Sequence, residues 1–176
     1  MSEKLEKVKK EMGLMERILS YIPGYRGYKE KELRRETDRL VRMEAANRLK
    51  RAKFEIRAQL SNPAVISSLK SDDMWLFDQL MSKLDRITQR IEKAVAGYAG
   101  FFDAVKVRED RLDKVLEHDV MLIEKADAIK EEAIKLRKLK PGSDEWRNAM
   151  FNLTSMIEEF DTLIDERTEI LRSLEK

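Results

Sequence analysis

The sequence predicts an all-α fold, an elongated antiparallel bundle of about five long helices with left-handed, coiled-coil-like packing. Apolar residues recur every three or four positions along nearly the whole chain, which is the helical period. Charged residues make up 40 % and hydrophobic ones 42 % of the 176 residues, a balance in which each helix buries one stripe and solvates the rest. Runs of β-branched residues are few, so little in the chain favours strands. The length suits one core, and residues 1–176 are read as a single helical-bundle domain.

The first helix carries Leu5, Val8, Met12, Met15, Leu19 and Ile22 on one stripe, and Pro23 stops it. A second helix runs from about Lys29 to Leu60 with Val41, Ala45, Leu49, Ala52, Ile56 and Leu60 inward. Its spacing is nearer an eleven-residue repeat than a heptad, which predicts a straight or slightly right-handed course. Asn62 and Pro63 break it, and a short connector or single turn leads to Ser71, where Asp72 and Asp73 complete an N-cap region. The third helix buries Phe77, Leu80, Leu84, Ile87, Ile91 and Ala94 and ends at Gly97 and Gly100.

The fourth helix holds Phe101, Val105, Leu112, Val115, Leu122, Ala126, Ile129, Ala133 and Leu136 in one heptad frame. Lys140, Pro141, Gly142 and Ser143 form the clearest turn, and Ser143 or Asp144 caps the last helix. Its stripe is Trp146, Met150, Leu153, Ile157, Phe160, Ile164, Leu171 and Leu174, widened by Met156, Leu163 and Ile170. That width predicts a central position for the last helix and a face able to support a homodimer. Arg108, Asp119 and Arg167 fall at core-facing positions and must pair across helices, since an unpaired buried charge is costly.

Short connections between long helices make neighbours antiparallel, which puts alternate junctions at opposite ends. One end then gathers Tyr21, Tyr25, Arg26, Tyr28, Tyr98, Phe101 and Phe102, including all four tyrosines, with four of the six glycines. Aromatic and arginine side chains dominate binding hot spots, so this pole reads as a recognition surface; large rings plugging an open bundle end are the structural alternative. The opposite end gathers Pro63, Pro141, Trp75 and Trp146.

Charge is uneven between helices. From Arg26 to Arg57 there are twelve basic and six acidic residues, and from Asp144 to Lys176 nine acidic and four basic. Arg35, Arg39, Arg42, Lys50, Lys53 and Arg57 form one strip on the second helix, a candidate for anionic surfaces such as nucleic acid or a membrane leaflet. No aromatic residue interleaves with the strip for base stacking, and the alternative is an ion-pair face against the acidic last helix, in the same chain or in a dimer mate.

The overall charge of +2 supplies no global attraction to nucleic acid or lipid. The absence of cysteine removes disulfides, thiolate metal sites and cysteine nucleophiles. No segment has the roughly 18 apolar residues of a membrane span and no apolar signal core is visible, which predicts a cytoplasmic protein without a transmembrane segment. Four Asn and three Gln beside many Lys, Arg and Glu suggest a thermophilic or archaeal source.

Enzyme signatures are weak. Asp110, Asp113 and Glu117 lie within two turns, and Glu158, Asp161 and Asp165 line one strip, an arrangement that could hold Mg²⁺ or Mn²⁺ for hydrolysis. The sole histidine, His118, excludes the paired Glu-x-x-His ligands of a di-iron centre and lacks a partner for catalysis. Walker, GxGxxG, GxSxG and HExxH motifs are missing. No catalytic residue, metal or cofactor is assigned.

The segments IPGYRGYKEKELRRETDRL and GYAGFFDAVKV resemble those of a family of helical prokaryotic proteins, mainly archaeal, over about the first 110 residues. The resemblance implies that the two-loop pole is a shared feature and implies no activity. The expected function is a non-catalytic binding or scaffold protein that engages a protein partner, or itself, through helical faces and the Tyr-rich pole. The alternatives are a metal-dependent hydrolase and an anionic-surface binder.

Overall fold

Four long helices carry the fold, each where the apolar spacing predicts it. In the computed structural model, residues 13, 16–22, 30–94 and 109–174 are described, with side chains over 13, 16–22, 39–94 and 114–173. Residues 16–20 are helical (α1), followed by α2 (Glu30–Gln59), the short α3 (Pro63–Ser68), α4 (Ser71–Lys93), α5 (Glu109–Leu136) and α6 (Asp144–Leu174). Among the described residues all regular structure is helical, and no helix is long and apolar enough to cross a membrane. At 1.5 Å per residue, α6 is about 46 Å long.

The long helices form a ring in which α2 and α6 each pack on both α4 and α5. Cross-helix bonds fix the directions. Lys50 meets Glu92 and Lys53 meets Asp85, so α2 and α4 are antiparallel; Lys125 meets Glu159 and Asp119 meets Arg167, so α5 and α6 are too. Arg48 bonds Asp127 while Gln59 bonds the carbonyls of Leu136 and Leu139, which makes α2 and α5 parallel. Likewise Asp73 meets Arg147 and Arg90 meets Asp165, so α4 and α6 are parallel. Two antiparallel hairpins therefore lie side by side, and the last helix occupies a corner rather than the centre. The extra width of its stripe is used differently: Met156 and Leu163 pack at the edge of the core.

The core follows the predicted stripes. Val41, Ala45, Leu49, Ala52 and Ile56 are fully buried, as are Leu80, Leu84, Ile87 and Ile91, and Trp146, Met150, Leu153 and Phe160. A satellite cluster joins Ile18 and Ile22 of the first segment to Val41, Leu116, Val120 and Ile123. Ile18, which lies outside the predicted stripe of the first helix, is completely buried there.

The end where α2 and α5 stop and α6 starts is tied by side chains. Gln59 Nε2 donates to the carbonyls of Leu136 (2.6 Å) and Leu139 (3.2 Å), and its Oε1 accepts from buried Trp146 Nε1 at 2.9 Å. Loose carbonyls at a helix C-terminus are satisfied in this way. Ser143 Oγ accepts from the Trp146 amide at 3.2 Å, the predicted N-cap. Gly142 reaches φ 80°, the left-handed conformation that glycine adopts without strain. At α4 the cap position is Lys70, not Ser71, and Asp73 instead turns inward to bind Arg147.

Candidate functional site

The α2 basic strip lies over a groove. Arg39, Arg42, Met43, Ala46, Asn47, Lys50 and Glu92 line a hollow of about 170 Å³, and Lys50 also borders a larger hollow of about 700 Å³. The larger hollow continues along α2 and α4 with Lys53, Phe54, Arg57, Ala58, Leu60, Ser61, Ile66, Met74 and Phe77. Five of the six predicted strip residues thus line the two hollows, Arg39, Arg42 and Lys50 the smaller and Lys50, Lys53 and Arg57 the larger, with Lys50 common to both. The side chain of Arg35 lies outside the described residues.

The groove has an apolar floor and a basic rim. Phe54 is 59 % and Ile66 40 % exposed, so each keeps a large share of the hydration cost of an apolar side chain. Phe77 and Met74 are half-buried behind them. Ile66 reaches the groove because Asn62 caps α3, accepting from the Ala64 amide at 3.0 Å, with Pro63 at the first helical position. No residue of α3 is buried, so the core does not explain an isoleucine on this short helix.

Lys50 pairs with Glu92 and Lys53 with Asp85 (2.5 Å), both across to α4. Arg57 is exposed and forms no ion pair among the described residues, and no acid lines the larger hollow. Arg42 is turned half inward: its Nη1 donates to the Ala94 carbonyl at 2.6 Å, and burial lowers its pKa against the pull of Asp119. These bonds correct the expectation of an ion-pair face against the last helix of the same chain. The basic strip meets α4, because α6 stands at the opposite corner of the ring. Acids of α6 are matched elsewhere, Glu158 by Lys83, Asp161 by Arg86 (2.8 Å) and Arg90, Asp165 by Arg90 (2.5 Å), and Glu159 by Lys125.

The same ion pairs bear on the hydrolase alternative. Glu158, Asp161 and Asp165 face cations instead of a vacant cavity, and among the described residues no group of three or more ligating side chains could hold a metal ion. The side chains of Asp110 and Asp113 lie outside the described residues. His118 is buried with its Nε2 3.5 Å from Glu166 Oε2, and burial lowers its pKa while Glu166 opposes the shift.

Of the aromatic pole, only Tyr21 falls within the described residues; Tyr25, Arg26, Tyr28, Tyr98, Phe101 and Phe102 lie outside them. Tyr21 is half-buried between α2 and α5. Its hydroxyl donates to Glu124 Oε1 at 3.2 Å, its ring lies 5.3 Å from the Arg48 guanidinium, and its carbonyl accepts from Arg48 Nη2 at 3.0 Å. Glu124 and Asp127 raise the phenol's pKa, after burial, which is the main cause. Here the ring anchors the first segment to the bundle, at the level of the middle of α5.

Sequence reasoning missed the floor of the groove. Phe54 stands just beside the basic strip on a helical wheel, so the strip does have an aromatic neighbour. Met43 occupies the same flank three turns earlier, 48 % exposed. The available signal was Met43 and Phe54 spaced eleven residues apart outside the buried stripe. A second hollow of about 550 Å³ lies between α5 and α6, lined by Met121, Glu124, Lys125, Ala128, Glu159, Thr162, Leu163 and Glu166. Its charged rim is already engaged by Arg17, which meets Glu124, and by the Lys125 to Glu159 pair. Comparison of the chain with family models, with curated proteins and with solved structures finds no match in any of the three.

Proposed function

We propose that this chain is a non-catalytic helical binding protein that engages a protein partner through the groove between α2 and α4. The observation that carries this reading is the exposure of Phe54 and Ile66, from two different elements, inside one hollow ringed by Lys50, Lys53 and Arg57. Apolar anchors at the centre of a charged rim are the arrangement of an interaction hot spot. The loops that hold Tyr25, Arg26, Tyr28, Tyr98, Phe101 and Phe102 belong to the same reading as a second contact surface, without Tyr21, which Arg48 and Glu124 engage in the bundle.

The test is affinity capture from source cells with the full chain, with Phe54→Asp and with Phe151→Asp, a control that is equally exposed but lies away from the groove. Loss of the captured proteins on Phe54→Asp alone, at unchanged melting temperature, is the expected result. Identical capture by all three forms would remove the groove from the account.

A further inference from the structure

Resting on that reading, we infer that the occupant of the α2/α4 groove is an acidic amphipathic helix of a partner protein. Length comes first. From Lys50 to Ser61 the larger hollow follows α2 for about 17 Å at 1.5 Å per residue, the span of about three turns of a partner helix. Ile66 of α3 lines it together with side chains of α2 and α4, so three elements bound the hollow.

Chemistry comes second. The larger hollow is lined by Phe54, Ile66, Met74 and Phe77, several apolar contacts of the kind that the i, i+3, i+4 and i+7 anchors of a helix seek. Met74 lets such a floor adapt to different side chains. The rim selects the sign of charge. Lys50 and Lys53 are paired with Glu92 and Asp85 of α4, whereas exposed Arg57 is without an ion pair among the described residues and no carboxylate lines the larger hollow. Glutamates flanking the apolar face of a partner helix find cations there, whereas lysines in the same places meet like charge. Single-stranded nucleic acid would meet one exposed ring, Phe54, too few for successive bases to stack.

The experiment uses the full chain and two synthetic 18-residue helices with one leucine face, one carrying glutamate and one lysine on the flanks. Fluorescence anisotropy measures binding, with a labelled oligodeoxythymidine and phosphatidylglycerol vesicles as further probes. The acidic helix should bind at least about tenfold more tightly than the basic one, and Phe54→Asp should weaken it by about tenfold or more. The pair Lys53→Glu with Arg57→Glu should weaken the acidic helix and improve the basic one. Equal binding of both helices, no binding of either, or tighter binding of the oligonucleotide or vesicles with the same residue dependence would overturn the inference. If neither helix binds yet Phe54→Asp still loses the captured partners, the acidic-helix inference fails and the protein-binding reading stands. If Phe54→Asp also captures normally, both fail.

Discussion

Asp119 of α5 and Arg167 of α6 meet inside the bundle, Oδ1 to Nε at 3.4 Å, and each is at most 2 % exposed. Burial pushes the Arg167 guanidinium down to about 10, still far above neutrality, so Arg167 stays charged. The charge of Arg42 from α2 also favours ionised Asp119, so three helices share one buried polar layer. Removing one partner takes a buried ion-pair contact from the other. Asp119→Asn should cost about 3–5 kcal/mol, read as a melting temperature lower by roughly 10 °C, whereas Asp119→Leu with Arg167→Met should recover most of it.

His118, one residue earlier, should make the fold sensitive to mild acid. Its pKa in the fold is lowered from 6.5, chiefly by burial, so the unfolded chain takes up the proton first. Its stabilising contribution is therefore present above about pH 6.5 and declines as pH falls towards the lower folded value. Urea unfolding between pH 7.5 and 5.5 should show stability falling with pH in the wild type and a shallower fall in His118→Asn.

Gly142 should resist replacement. It has φ 80°, and a Cβ there would sit 3.0 Å from Leu69 Cδ2. Gly142→Ala should destabilise by about 1–3 kcal/mol, measured by denaturant midpoint with unchanged slope.

Gln59 should matter more than an exposed glutamine, because it serves the Leu136 and Leu139 carbonyls and Trp146 Nε1 together. Gln59→Ala should cost about 1–3 kcal/mol, since it leaves the buried indole N–H unpaired. A red-shifted, more quenchable Trp146 emission in a Trp75→Phe background would report the loosened joint.

Much of this fold was legible because its signals are local. Leu80, Leu84, Ile87 and Ile91 are buried by their spacing alone, and Asp119 and Arg167 declared themselves as charges inside an apolar frame. Ring order was not legible: helical period says which face is buried but not against which neighbour, and α6 at a corner instead of the centre follows from long-range packing. The candidate site was half legible. Arg39, Arg42, Lys50, Lys53 and Arg57 share one helix face and so show in sequence, whereas Ile66 joins Phe54 only when α3 folds back between α2 and α4.

The most direct test is photo-crosslinking in source cells, with benzoylphenylalanine placed at position 54 and, as control, at position 151. The account predicts discrete protein adducts from position 54, absent from position 151 and lost when Lys53→Glu and Arg57→Glu are added. Adducts of equal yield and identity from both positions, or from position 54 to nucleic acid alone, would contradict it.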